Sequence, residues 1–252
     1  MTDAHGRDHV TKIELALDKD NNFLAFRTET MANVGAYLSN FSTVTPTILH
    51  GTLMAGNYSV PNVYVNVKAV FTNTAPVDAY RGAGRPEATY SLERVIDKAA
   101  LELNLDPIAL RRQNFIKPDQ FPYITAAGLN YDVGDYDAIM DRLEHHADIQ
   151  GFAERKKISE KQGKLRGFGV NSYIEACGIA PSNLIGTLGA RVGLYDAATI
   201  RVNATGNISV MVGAHSHGQG HATVFPQVVS EMLGVEENIL LLGYVLILCL
   251  RY

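Results

Sequence analysis

The sequence predicts an α+β fold, with strands and helices grouped in blocks rather than in strict strand–helix–strand alternation. Three observations carry this. Strand-type alternation opens the chain over residues 10–30, a helical pattern begins at Pro86, and alternation returns after Lys164 before one last helix. At 252 residues, 46% of them apolar, the chain is long enough to bury a sizeable core. A net charge of -4 with no basic run gives nucleic-acid binding no support.

Residues 10–17 alternate apolar and polar, 18–22 ("DKDNN") supply turn chemistry, and 23–30 return, so a β-hairpin is expected. Residues 64–73 read as a further strand. Val65, Val67 and Ala69 share one face, and Tyr64, Asn66 and Lys68 the other. Pro86 stands where a first helical residue belongs, because its missing N–H costs nothing there. Ala88, Leu92, Val95, Ile96, Ala99 and Leu103 follow at helical spacing, with a stop at Asn104. Asp106-Pro107 restarts a shorter helix through Asn114, which Arg111 and Arg112 are expected to cap or decorate.

Residues 135–161 read as one or two surface helices with a break at Gly151. From Lys164 strands are expected, first in "GFGVNSYIEA". They continue where Val192, Leu194, Ile200, Val202, Ile208, Val210 and Val212 alternate around a turn at 205–207. A helix over 223–233 follows. The apolar run 239–250 is short for a membrane span and reads first as a truncated or shifted reading frame, next as a core strand and last as a membrane anchor. The polar start "MTDAHGRDHV" is no secretory leader, and Cys177 and Cys249 make no disulfide framework. Both fit a cytoplasmic protein.

Two loops carry candidate chemistry. In "AYRGAGRPE", Gly82 and Gly84 permit backbone conformations closed to other residues and leave room for close approach. Arg81 and Arg85 offer planar donors suited to oxyanions, and a helix start faces the same place. An anion or cofactor site and a plain glycine turn both satisfy this pattern, which is neither a Walker loop nor GxGxxG. The second loop, "GAHSHGQGHATVF", also lies between strand and helix. Gly218 and Gly220 flank Gln219, whose amide can donate and accept, and Thr223 could cap the helix. A dinucleotide-type phosphate site and an ordinary loop again compete. His215, His217 and His221 suggest a metal at first sight, but no carboxylate or cysteine lies close to them in sequence, so the ligand signal is weak. Glu175 in "YIEACG" is either an exposed strand residue or a base beside a cleft. Cys177 reads as a small core residue.

These stretches resemble the large catalytic subunits of the molybdenum hydroxylases: xanthine dehydrogenase, aldehyde oxidase and aerobic carbon monoxide dehydrogenase. "GAYLS", "YSVPNV", "TNTAPVDAYRGAGRPEATYSLERVIDKAA", "LDPIALRRQNFI", "GVNSYIEACG" and "HGQGHATVFPQVVSEMLGV" occur in family order and span most of residues 3–238. The resemblance implies an oxidoreductase using molybdenum with molybdopterin cytosine dinucleotide, assembled with iron–sulfur and FAD-bearing partner subunits. It implies that Arg81, Gly82 and Ala83 lie beside the molybdenum. Tyr80, Arg81, Gly84, Gly218, Gln219, Gly220, His221 and Thr223 would contact the cofactor, with both loops converging on one phosphorylated ligand. Residues 1–120 would belong to the first cofactor-binding domain, 121–163 to a linker with surface helices, 164–238 to the start of a second such domain, and 239–252 to the apolar tail.

Departures from the family pattern narrow the substrate. Carbon monoxide oxidisers of this family carry a copper-binding cysteine where Gly82 stands, and purine oxidisers a phenylalanine where Ala83 stands. An aldehyde, a heterocycle or a similar small molecule is therefore expected, in a carbon monoxide dehydrogenase-like subgroup. The family's glycine-rich molybdenum loop and its catalytic glutamate segment are not in this sequence, so the chain is expected to be a fragment inactive alone. The competing expectation is a non-catalytic remnant or interaction module that keeps the fold without the cofactor.

Overall fold

A computed structural model describes residues 3–175 and 196–244, in two compact units divided between Glu175 and Ala176. Val192, Leu194, Cys177 and Cys249 lie outside the described residues.

In the first unit β1 (His9–Leu17) and β2 (Phe23–Gly35) form the expected hairpin, with His9 opposite Ala32 and Leu15 opposite Phe26. Asp18 sets the turn, its Oδ1 accepting the amides of Asp20 and Asn22 at 2.8 Å each. β3 (Asn62–Phe71) flanks β2 on its other side and runs parallel to it, so the sheet order is β1-β2-β3. A parallel neighbour needs a long return, and this one contains a π-helical turn, Thr45–Leu49. Five residues are too few to display a period, which is why the sequence gives no sign of it.

α1 (Arg85–Glu102) starts one residue before the expected Pro86, with Gly84 as its N-cap. Ala88, Leu92, Ile96 and Ala100 recur every four residues and are buried; Leu92, Ile96 and Ala100 pack in one core with Phe26 and Tyr58. Each fully buried leucine or isoleucine contributes about 1.5–3 kcal/mol. Leu103 lies past the last turn and is exposed, and Asn104 ends the run at φ 54°.

α2 (Pro107–Asn114) begins as its capping residue dictates. Asp106 Oδ1 accepts the amides of Ile108 and Ala109 at 2.7 and 2.8 Å. Its two arginines do not decorate the surface. Arg111 is 0% exposed: its Nε donates to Glu93 Oε2 and its Nη2 to Asp97 Oδ1, both at 2.8 Å. Tyr58 donates its hydroxyl to the other Glu93 oxygen. Burial first, then the Glu93 charge, pushes the Tyr58 phenol up. Arg112 pairs with Asp137, Asp141 and Glu144. These acids lie on α3 (Tyr136–Ala147), which α4 (Phe152–Lys161) follows after the expected break at Gly151. Between α2 and α3 a two-residue-per-strand hairpin joins β4 (Tyr123–Ile124) and β5 (Asn130–Tyr131).

The strand expected in "GFGVNSYIEA" does not form over its described part, residues 167–175. Side chains hold that segment instead of a ladder. Asn57 Nδ2 donates to Ser172 Oγ at 2.7 Å, and Ser172 N–H donates to Glu93 Oε2 at 2.9 Å. Alternation reports only an extended chain with one side toward a core, here through buried Val170.

In the second unit β6 (Ala198–Val202) pairs antiparallel with β7 (Ile208–Val212) through a turn at Gly206, φ 87°. α5 (His221–Leu233) follows, and β8 (Leu240–Tyr244) returns parallel to β7. The first part of the apolar run is therefore a strand. Ile208, Val210, Val212, Val229 and Leu240 form the core, whereas Ile200 and Val202 on β6 are exposed. Among the described residues no helix is long and apolar enough to cross a membrane.

Candidate functional site

The loop around Arg81 is a tight turn seated on the protein's own backbone. Gly82, Ala83 and Gly84 all have positive φ, at 95°, 47° and 88°. Ala83 N–H donates to Tyr80 O at 2.6 Å, and Arg85 N–H to Gly82 O at 3.3 Å. A Cβ on Gly84 would stand 2.9 Å from His50 N and 3.2 Å from the Leu49 carbonyl carbon, and nearer still to Thr45 O. One on Gly82 would meet Pro86 Cγ at 2.5 Å. The glycines thus answer first to internal contact: Gly84 to the π-helical turn, Gly82 to the opening proline of α1. Sequence spacing cannot tell that partner from a ligand.

The two loop arginines differ. Arg81 is exposed, and its guanidinium makes no hydrogen bond or ion pair among the described residues. Arg85 is 11% exposed and its Nε lies 3.3 Å from Glu175 Oε1. Burial raises the Glu175 carboxyl, with the Arg85 cation opposing. Arg7 Nη2 donates to Arg81 O, and its guanidinium lies 4.9 Å from the ring centre of Tyr80. A groove of about 640 Å³ adjoins the turn, with Arg7, His9, Pro86 and Arg94 on its walls.

Beneath Gly84 lies a pair the sequence does not signal, because its members are 41 positions apart. The rings of His9 and His50 are 4.8 Å apart. His9 Nε2 bonds Pro46 O at 2.9 Å, and His50 Nε2 bonds Thr30 Oγ1 at 3.2 Å, while both Nδ1 atoms are buried without partners among the described residues. His50 is pushed down to about 4, by burial first and by His9 second, with a Gly84 backbone contact opposing.

The second loop occupies the carboxyl end of β7 and the start of α5, where ligands bind in parallel strand–helix–strand units. Gly218 and Gly220 have φ 110° and 78°. Gly220, not Thr223, is the N-cap: Thr223 lies inside the first turn and its amide donates to Gly220 O at 2.9 Å. Among the described residues no side chain caps α5 and a Cβ on Gly220 would meet nothing within 4 Å; its first turn holds no acid. Gln219 Oε1 accepts the His217 amide, which commits the acceptor half of its side chain. The His221 ring stacks on Phe225 at 4.7 Å, and its Nδ1 has no partner among the described residues. The His215 and His217 rings are 4.8 Å apart. Among the described residues no group of three or more His, Cys, Asp or Glu is placed to hold a metal ion.

Each loop therefore presents an uncapped helix start behind a left-handed glycine, and the first adds an exposed guanidinium. At α5 the backbone donors suit a phosphate-bearing anion. At the first loop the donor is the Arg81 guanidinium, because Arg85 N–H is bonded to Gly82 O, Pro86 has no N–H and Glu87 places an acid in the first turn of α1.

Comparison with known proteins gives this geometry a lineage. Residues 1–115 match one molybdopterin cofactor-binding domain family and residues 142–240 a second. The chain is 34% identical over 246 residues to the carbon monoxide dehydrogenase large chain of Hydrogenophaga pseudoflava, covering 95% of this chain and 30% of that one. Quinoline 2-oxidoreductase from Pseudomonas putida 86 superposes with a TM-score of 0.82 at 29% identity, over 97% of this chain and 31% of that one. A Cu,Mo carbon monoxide dehydrogenase gives 0.79 at 31% identity, over 96% and 31%. The chain thus spans about 30% of the length of the curated relatives it matches. Two successive cofactor-domain matches, on a fold shared with these enzymes, show that the chain belongs to the molybdenum hydroxylase large-subunit family.

Proposed function

We propose that this chain is a cofactor-holding part of a molybdopterin-dependent oxidoreductase that acts on an aldehyde, a heterocycle or a similar small substrate. The observation that carries this is the exposed Arg81 guanidinium, unpaired among the described residues, on a turn of three left-handed residues. The cofactor, when bound, supplies two-electron oxidation of substrate, and the protein's share is binding and orientation. Arg81 donates to an anionic or oxygen-bearing group, and Gly82 and Ala83 keep that approach free of large side chains. Tyr80, under the Arg7 cation, walls the same turn. In the second loop the amides of His221 and Ala222, which have no backbone partner among the described residues, would hold a phosphate, and Gln219, its oxygen occupied, would offer its NH2 as a donor. Gly84, Gly218 and Gly220 shape the backbone, and Thr223 lies in the first turn of the helix.

Gly82 has no thiol to hold a second metal, which argues for carbon–hydrogen oxidation over carbon monoxide oxidation. Turnover is assigned to the whole subunit, since the matched relatives are far longer. The cytosine dinucleotide form, and electron transfer to iron–sulfur and FAD-bearing partners in a cytoplasmic complex, complete the reading. The test is to purify the intact subunit that contains this span and measure molybdenum by mass spectrometry and pterin by fluorescence. Both are expected near one per subunit, and a folded subunit lacking both would overturn the proposal.

A further inference from the structure

The segment that leaves the first unit is pinned to α1 at two points. Ser172 N–H donates to Glu93 Oε2 at 2.9 Å, and Glu175 Oε1 lies 3.3 Å from Arg85 Nε. The spacings agree, since eight helical residues rise about 12 Å and three extended residues span about 10 Å. The segment therefore runs along α1 from its middle to its first residue, against the helix direction. It delivers Glu175 to the foot of the Arg81 turn. The inner anchor is rigid, because Arg111 and Tyr58 hold Glu93.

We propose that Glu175 is a positioning residue for the Arg81 turn, acting through Arg85. Only its use for cofactor binding rests on the reading above; the geometry stands without it. Arg85 is where turn becomes helix: its amide bonds Gly82 O, and its nearly buried side chain is held by Glu175. Both ends of the Gly82–Gly84 stretch are then fixed, one by the Tyr80–Ala83 bond and the other by the ion pair. Removing the carboxylate leaves a cation in a half-dry place, and the side chain must move toward water and draw the backbone with it.

Limited trypsin cleavage and hydrogen exchange of the 252-residue chain test this without cofactor. Arg85 precedes Pro86 and resists trypsin, so within the turn cleavage reports Arg81 alone. Glu175→Ala is expected to raise cleavage after Arg81, and exchange over residues 81–85, about tenfold. Glu175→Gln should do less, because it keeps a hydrogen-bonding group. The swapped pair, Arg85→Glu with Glu175→Arg, is expected to restore slow cleavage. Unchanged rates in Glu175→Ala would overturn the proposal, as would faster exchange spread equally over α2 and α3, or a swap that fails to restore protection. An intact subunit without molybdenum would sink the cofactor reading and leave these rates untouched, so the two failures are distinct.

Discussion

Replacing Gly84 with alanine adds one carbon where the fold has no room. Its φ is 88°, and the new Cβ would stand 2.9 Å from His50 N and 3.2 Å from the Leu49 carbonyl carbon, with Thr45 O nearer still. All three are backbone atoms of the π-helical turn or of His50, its C-cap, and cannot rotate aside. A left-handed conformation costs an L side chain about 1–2 kcal/mol, and overpacking adds about 1–3 kcal/mol. The sum, about 2–5 kcal/mol, is a large part of the ~5–15 kcal/mol that holds a domain folded. Gly220→Ala is the comparison: φ is 78°, but no described residue lies within 4 Å of the new Cβ, so only the ~1–2 kcal/mol conformational cost applies. Urea unfolding followed by far-ultraviolet circular dichroism measures both, since the chain has no tryptophan. If Gly84→Ala loses no more than Gly220→Ala, the seating of the Arg81 turn on the π-helical turn is wrong.

Other predictions concern charge. His50 titrates at about 4 in the fold against an ordinary 6.5. The unfolded chain therefore takes up the proton first as pH falls. Its stabilisation is complete above about pH 6.5 and drains toward pH 4, about 3 kcal/mol in all; stability measured against pH should show this slope, and His50→Gln should flatten it. Arg111→Met strands Glu93 in the core and is expected to cost about 3–5 kcal/mol in the same unfolding assay; a loss below 1 kcal/mol would mean that water reaches the pair. Arg81→Ala should change stability by less than about 0.5 kcal/mol yet strip most molybdenum and pterin from the intact subunit, and full retention would remove Arg81 from the cofactor site.

What the sequence made legible was local. Asp18 and the 10–30 alternation declared a hairpin, Asp106-Pro107 a capped helix, and Gly151 a break, because each feature acts within a few residues. The α1 stripe was legible at Ala88, Leu92 and Ile96, which repeat every turn, whereas Ala100 continued it unannounced and Leu103 fell outside it. Three things were hidden for one reason: their cause lies far along the chain. Arg111 looks like any helix arginine until Glu93 folds against it. His50 has no nearby partner in sequence, yet it supports Gly84. The 167–175 stretch alternates like a strand, and only Glu93 and Asn57 show that side chains hold it. In the candidate site the sequence marked both loops but not what their glycines touch, and Thr223 looked like a cap because cap chemistry ignores the left-handed glycine before it.

The Glu93 hub has a consequence for synthesis. Its contacts come from residues 58, 111 and 172, so the chain leaves the ribosome with the Tyr58 and Arg111 bonds available and the Ser172 amide still to come. About 60 residues separate Arg111 from Ser172, a delay on the order of 3–12 s at ~5–20 residues per second. During that interval the nascent first unit holds a carboxylate one donor short at its centre. The Ser172 bond to Glu93 can therefore form only after the sheet and α1 have been synthesised.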